Sequence, residues 1–255
     1  TRSRSMRKGF STRVSTPIHG DYWAEGPSPL FLEDGSLIVY FDRYRGGRYG
    51  AVRSTDRGKT WTEVPADLLN MPKGIRHGTA FRVDDSVLDA LLEHYRGAAP
   101  KPLYADPVHG GAADPVIVQH RDTKLWYMFY TNRRADLRDG RGAEWVHGSP
   151  IGIATSPDLV HWTYLQEAQI GYRPDPDPTY WAPGIVDDGR EYHMYLTYVP
   201  GVFADWNHPR HIIHLTSDDL IHWTFRKVLD LISEKVIDSD VARLPDGTWR
   251  MWYND

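Results

Sequence analysis

Three acidic residues introduce apolar, strand-like stretches at separate places in the 255-residue chain. Glu25 stands in the string Glu-Gly-Pro, Asp114 in Ala-Asp-Pro, and Asp238 in Ile-Asp-Ser-Asp. Paired carboxyl groups hydrolyse glycosidic bonds: one acid protonates the leaving oxygen and one carboxylate activates water, roughly 6.5–9.5 Å away in inverting enzymes. If these three side chains met, burial and mutual repulsion would separate their pKa values, as such chemistry requires.

The elements that would position these carboxylates are copies of one hairpin unit. Each copy has an acidic or proline-containing start, a short apolar strand, a polar turn and a strand rich in aromatic residues. The four copies run from Glu25 to Asp42, Ala113 to Asn132, Trp181 to Tyr198, and Asp238 to Asp255. In the last copy the dipeptide Asp246-Gly247 is a strong hairpin signal, and we predict a two-residue turn there.

Strings of the Asp-box type begin at Ser54, Ser156 and Ser217, and each ends in a tryptophan. Their aspartates can accept backbone hydrogen bonds within a short turn, so we interpret these residues as structural. Each string joins a third strand to a fourth, which makes the repeat a four-stranded unit. Four-stranded antiparallel units that recur every ~40–60 residues indicate an all-β protein with the β-propeller fold.

In a propeller the first strand of each blade lines a central channel. We therefore expect the residues that open the copies to occupy equivalent positions and to converge at one mouth. These residues are Glu25, Asp114, Trp181 and Asp238.

A single short helix is predicted at about residues 85–96, where Val87, Leu88 and Leu91 form an apolar stripe. The fourth copy has only two strands before the chain stops. Either Thr1 to Gly20, with a strand at Phe10 to Val14, supplies its outer strands, or further sequence or another chain completes it.

The overall composition argues against several classes of partner and chemistry. The formal net charge is −4, which predicts no nucleic-acid partner, and no apolar run is long enough to predict a membrane span. Cysteine is absent, so disulfides and thiol chemistry are excluded. No signal-peptide pattern is seen at the start, and secreted, periplasmic and cytoplasmic locations all stay open.

The chain is rich in aromatic residues, with 10 Trp and 15 Tyr. Most would fill the core, but flat rings also suit the apolar faces of sugars. We expect a carbohydrate partner, with Trp23, Tyr180 and Trp181 flanking the sugar. Further candidates for sugar contact lie on long loops: Trp145, His147, Trp206, His208 and Arg210.

Four strings together resemble motifs of glycoside hydrolase family 43 and its relatives, which are five-bladed β-propellers: Ala113-Asp114-Pro115, Ile237-Asp238, Glu25-Gly26-Pro27 and Arg76-His77-Gly78-Thr79. The resemblance implies that Asp114 is the catalytic base, that Asp238 tunes the pKa of the acid, and that Glu25 is the acid. It also implies that His77 faces the channel and binds a structural calcium ion through water. No cofactor would be required for catalysis.

The order of these motifs differs from the order in the family, where the base comes first and the acid last. Two arrangements are compatible with this order. Residues 1–255 would form one permuted or incomplete propeller, or residues 1–97 would be the tail of one module and residues 98–255 the head of a second. Asp240, two residues past Asp238, is an alternative tuning residue because both would face the same side of a strand.

The predicted function is inverting hydrolysis of plant-type saccharides, either arabinofuranosides or xylosides. A carbohydrate-binding propeller without turnover is the alternative from another class. A sialidase-type hydrolase ranks lower, because no three arginines stand at equivalent repeat positions to bind a sialate carboxylate.

Overall fold

The computed structural model describes residues 18–72, 74–97 and 102–255. The predicted strand at Phe10 to Val14 lies outside the described residues. Four separate sheets and one α-helix make up the regular structure of the described residues, together with short 3₁₀ turns. The predicted all-β, propeller-like fold is therefore confirmed.

The first two sheets are four-stranded antiparallel meanders, as the repeats predict. The first contains β1 (Glu25–Phe31), β2 (Leu37–Arg43), β3 (Arg48–Ser54) and β4 (Thr62–Glu63). The second contains β5 (Ala112–Gln119), β6 (Trp126–Asn132), β7 (Ile151–Ser156) and β8 (Thr163–Glu167).

The other two sheets depart from four strands in opposite directions. A short β9 (Gln169–Ile170) adds in parallel to the outer edge of the third sheet, which otherwise contains β10 (Thr179–Asp187), β11 (Tyr192–Val199), β12 (His211–Ser217) and β13 (His222–Val228). The fourth sheet contains β14 (Ile237–Arg243) and β15 (Trp249–Asn254).

Apolar side chains between neighbouring sheets form the core. Phe129 and Ile153 of the second sheet pack with Met194 and Leu215 of the third. Tyr195 of the third sheet packs near Val241 of the fourth, and Trp252 of the fourth packs with Phe41 of the first. The alternating apolar faces of these strands thus pack sheet against sheet around an axis.

Each inner strand begins with the same irregularity. The pairing of the inner strand with its neighbour shifts register between the first residue of the motif and the fourth. The second residue of the motif has a positive φ in all four sheets: 60° for Gly26, 51° for Asp114, 43° for Ala182 and 53° for Asp238. This is a β-bulge with a left-handed residue, which re-aims the strand start.

Threonine hydroxyls of neighbouring sheets accept hydrogen bonds from the backbone N–H groups of two of these bulges. The backbone N–H of Ala182 donates to the Thr131 hydroxyl at 2.8 Å, and that of Asp238 donates to the Thr197 hydroxyl at 3.3 Å. These bonds tie the second sheet to the third and the third to the fourth, which keeps the strained strand starts side by side.

The segment of residues 76–82 lies between the first and second sheets. The Thr79 hydroxyl donates to the Pro115 carbonyl at 2.7 Å, and the Ala80 N–H donates to the Ser28 hydroxyl at 2.8 Å. The segment therefore bonds to β5 on one side and to β1 on the other.

The helix α1 spans Asp85–His94, close to the prediction. Its apolar stripe is not buried, since Leu88 and Leu92 are 47% and 63% exposed. Among the described residues no helix is both long and apolar enough to cross a membrane.

The Asp boxes are turns held by their own side chains. Asp56 accepts hydrogen bonds from the backbone N–H groups of Lys59 and Thr60 at 3.0 and 2.9 Å. Asp158 and Asp219 accept equivalent backbone bonds in their own turns. The structural interpretation of these aspartates is confirmed.

Candidate active site

The bulged starts of the four inner strands surround one channel. Its lining includes Gly26, His77, Asp114, Ala182, Asp238 and Asp240. A positive φ at a residue other than glycine costs about 1–3 kcal/mol and is concentrated at functional sites. Its recurrence at Asp114, Ala182 and Asp238 therefore marks this channel as the candidate site.

His77 stands between two of the predicted carboxylates. Its Nδ1 lies 2.8 Å from Oδ1 of Asp114, and its Nε2 lies 3.8 Å from Oδ2 of Asp238. The other oxygen of Asp114, Oδ2, accepts a hydrogen bond from the Arg133 guanidinium at 2.8 Å. Asp114 thus bonds to two basic side chains, whereas the nearest His77 nitrogen lies 3.8 Å from Asp238.

The surroundings shift the pKa values of Asp114 and Asp238 in opposite directions. Burial opposes the charge on Asp114, but the hydrogen bond and charge of His77, together with Arg133, outweigh it and lower the Asp114 pKa to about 2. Burial raises the pKa of Asp238 to about 7; His77 opposes this change, and the charges of Asp114 and Glu25 add to it. The channel therefore holds one ionised and one readily protonated carboxyl group.

His77 is cationic in this setting. Burial alone would lower its pKa, but the charges of Asp238, Asp114 and Glu25 and the hydrogen bond to Asp114 raise it to about 9. The ring also packs closely on the first sheet: a Cβ added to Gly26 would lie 1.8 Å from it. Only glycine leaves room for the imidazole here, and only glycine adopts φ 60° without strain.

Glu25 directly precedes Gly26, which lines the channel, and its side chain has partners of its own. Its Oε1 accepts from the Arg76 guanidinium at 3.2 Å, and the same arginine donates to buried Asp42 at 2.5 Å. Burial raises the pKa of Glu25, and the negative charge of Asp42 raises it further. The charges of His77 and Arg76 oppose this rise, but the pKa stays above its ordinary value. Because its charge contributes to the pKa of Asp238, Glu25 is within electrostatic reach of the channel.

The register corrects one expectation. Glu25 pairs with Asp42 before the bulge, just as Ala113 pairs with Thr131. Gly26, not Glu25, is the counterpart of Asp114 and Asp238. The expected equivalence of the four openers is therefore wrong for Glu25 and for Trp181, which stand one residue earlier.

Asp240 also lines the channel. Its Oδ1 accepts from the N–H of Val241 at 2.7 Å. Burial raises its pKa to about 7, and hydrogen bonds from Val241 and the Ser28 side chain oppose this change. Asp240 thus resembles Asp238 in its raised pKa, and its hydrogen-bond partners lie on β14 itself and on β1.

Two predicted sugar-flanking residues are buried instead. Tyr180 is 5% exposed within the core between the second and third sheets, and its hydroxyl donates to the Tyr172 carbonyl at 2.5 Å. Trp181 is 6% exposed, and its indole N–H donates to the Val146 carbonyl at 2.7 Å. Neither ring presents a face to the channel in this conformation, because both strand starts are covered by loops.

Two buried histidines, His147 and His208, lie next to the loop residue Trp206. His147 and His208 are 0% and 2% exposed, and their Nε2 atoms lie 2.9 Å apart. Burial lowers the pKa of both rings. They support Trp206, whose ring centroid lies 5.7 Å from that of Trp181. His208 is therefore buried beneath the loop in this structure.

Three of the predicted aromatic contacts remain exposed. Trp23, Trp145 and Trp206 are 57%, 41% and 58% exposed. The Arg133 guanidinium lies 5.9 Å from the Trp145 ring centroid, which links this ring to Asp114. Arg210 donates to the Trp206 carbonyl at 3.2 Å.

Sequence reasoning missed two arginines, Arg133 and Arg76. Arg133 follows β6 directly, and its backbone N–H bonds to Gly111, just ahead of β5. That proximity follows from hairpin register, which spacing alone did not specify. Arg76 directly precedes His77 in the Arg-His-Gly-Thr string, so its sequence position alone indicated that it could lie near the site.

The calcium ion expected near His77, bound through water, stays a prediction. Both ring nitrogens face carboxylates, and one of them is hydrogen-bonded. Within the described residues there is no group of three or more His, Cys, Asp or Glu placed to hold a metal.

Several solved structures of carbohydrate enzymes are similar to this chain in fold. The GH43_1 enzyme from Xanthomonas citri complexed with xylose matches with a TM-score of 0.60 and 14% identity over 94% of this chain and 84% of that chain. Its xylotriose complex matches with a TM-score of 0.58 and 13% identity over the same shares. At such identities the likeness shows the fold alone.

An α-L-arabinanase from Penicillium chrysogenum complexed with arabinobiose has a TM-score of 0.42 and 16% identity. The match covers 91% of this chain but only 58% of the arabinanase. No known family profile and no curated protein sequence matches this chain.

Proposed function

We propose that the chain is a glycoside hydrolase that works with inversion, with Glu25 as general acid, Asp114 as general base and Asp238 as the residue that tunes the acid. The observation that supports this proposal is the group of three carboxyl groups around His77: Asp114 lies 2.8 Å from the ring, Asp238 lies 3.8 Å from it, and the charge of Glu25 contributes to its raised pKa. Inverting hydrolysis needs one carboxylate and one carboxylic acid in one site.

Asp114 has the charge that a base requires. Hydrogen bonds from His77 and Arg133 keep it ionised at neutral pH, one on each oxygen. A carboxylate offers about four acceptor positions, so two remain for a water molecule. Its side chain is 9% exposed, so that water would approach from the channel.

Glu25 has the environment that an acid requires. Burial shifts its pKa upward, and Asp42 adds a repelling charge. Arg76 works against this shift and lies on the exposed side of the pair. A sugar that displaces Arg76 would remove that opposing charge and favour the protonated acid.

Arabinofuranosides or β-xylosides are the proposed substrates. Two fold neighbours with TM-scores above 0.5 are complexes of one enzyme with xylose and with xylotriose. Exposed Trp145, reached by Arg133, offers an apolar face for a sugar ring next to the base.

The test compares Glu25→Gln and Asp114→Asn with the parent chain on an aryl glycoside and on an unactivated oligosaccharide. Each variant should lower kcat by about 10²–10⁴-fold on the oligosaccharide. Glu25→Gln should lose much less on the aryl glycoside, whose leaving group needs little protonation, whereas Asp114→Asn should lose equally on both. Asp122→Asn, at an exposed turn, is the matched control. Undiminished turnover in either site variant contradicts the assignment.

A carbohydrate-binding protein without turnover is the second candidate. The low pKa of Asp114, about 2, makes it a weak base, and this observation favours binding over catalysis. Calorimetric titration with xylotriose and with an arabino-oligosaccharide separates the two. Saturable binding with no product after prolonged incubation would support the binding protein.

A further inference from the structure

His77 is fixed in place by contacts that do not involve the carboxylates. Its ring rests on Gly26, where any Cβ would overlap it. Two residues later, Thr79 bonds to the Pro115 carbonyl of β5, and Ala80 bonds to Ser28 of β1. The imidazole is therefore placed from both sides, with little freedom to move.

The two ring nitrogens reach two different sheets. Nδ1 lies 2.8 Å from Asp114 at the start of β5, and Nε2 lies 3.8 Å from Asp238 at the start of β14. The first distance is a hydrogen bond and the second is not. The side chain is 16% exposed, so water competes weakly for either contact.

We propose that His77 is a positioning residue: through Nδ1–H it holds Oδ1 of Asp114 while Arg133 holds Oδ2, and it thereby fixes the orientation of the carboxylate relative to the water to be activated. This role rests on the proposed hydrolase function. The Nε2 contact with Asp238 is secondary. The two nitrogens can be separated, since an asparagine amide imitates Nδ1 and a glutamine amide imitates Nε2.

The experiment measures kcat and KM of His77→Asn, His77→Gln and His77→Gly on an aryl glycoside that the parent chain hydrolyses. Glutamine and glycine remove the charge-assisted bond to Asp114, so kcat should fall by about 10- to 100-fold while KM changes less than about threefold. Asparagine keeps a donor near Asp114 and should retain most of kcat. Imidazole added to the glycine variant should restore part of the loss. His94→Asn, on the exposed face of α1, should behave like the parent.

Equal losses of kcat in the asparagine and glutamine variants, or no loss in any, overturn the positioning role. So does a rise in KM with kcat unchanged. Thermal unfolding of each variant identifies those that fail to fold, and imidazole rescue then decides the matter in the glycine variant. A parent chain that hydrolyses none of the glycosides overturns the proposed function instead, which separates the two failures.

Discussion

Asp114 and Asp238 occupy the same position in two sheets and have opposite properties. Both are the left-handed residue of the bulge at the start of an inner strand, both have a φ close to 50°, and both lie beside His77. Asp114 receives a hydrogen bond on each oxygen from a basic side chain, and its pKa falls to about 2. Asp238 lacks that pair of donors, and burial raises its pKa to about 7.

The contrast shows that the backbone and the partners have separate tasks. The bulge places its second residue against the channel in every sheet, whether that residue is Asp, Ala or Gly. Charge is then set by what the neighbouring loops bring. Arg133 and the segment carrying His77 approach Asp114 far more closely than any cation approaches Asp238.

The largest expected difference is in the free energy of unfolding of Asp114→Asn and Asp238→Asn. Asp114→Asn leaves His77 and Arg133 without their counter-charge and should cost about 3 kcal/mol or more. Asp238→Asn imitates the protonated acid and should cost less than about 1 kcal/mol near neutral pH. Urea unfolding at pH 6 measures both, and equal costs would show that the partners do not differentiate the two sites.

An intermediate effect is expected from Arg133→Met, which removes one of the two donors on Asp114. The pKa of Asp114 should rise, because burial then opposes its charge with only His77 to counter it. Since the base must be ionised, the acidic limb of the kcat/KM profile should move to higher pH. Arg138→Met, on an exposed loop, is the control. An unmoved acidic limb would mean that Arg133 does not influence the base.

The smallest effect concerns the pH dependence of stability. The pKa of Asp238 is raised from 3.8 to about 7 on folding, so its contribution is fully present below pH 3.8 and is lost as pH rises toward 7. The folded state binds the extra proton in that window, and stability should fall by at most about 1.4 kcal/mol per pH unit from this group. Asp238→Asn should flatten the slope between pH 5 and 6, and an unchanged slope would contradict the raised pKa.

Local patterns predicted the fold well. The hairpins, the Asp-box turns and the helix at Asp85–His94 are signalled by residues adjacent in sequence. The turn at Asp246-Gly247 is an instructive exception: Gly247 has a φ of 82°, and its N–H bonds to Leu244, which makes a three-residue loop. The loop begins at Pro245, one residue before the Asp-Gly pair, so the Asp-Gly pair alone predicted a loop that is one residue too short.

The site was less predictable because it depends on register and on distant segments. Glu25, Asp114 and Asp238 were expected at one equivalent position, but a one-residue offset separates Glu25 from the other two. Tyr180 and Trp181 were chosen by residue type, yet tertiary packing buries both. No spacing rule predicted Arg133.

The most direct test of the account is the anomeric configuration of the first product, followed by proton NMR during hydrolysis of an arabinofuranoside or a xyloside. An inverting site with Glu25 as acid and Asp114 as base predicts that the opposite anomer forms first and then mutarotates. Product that first forms with retained configuration would contradict the direct attack of water assisted by Asp114.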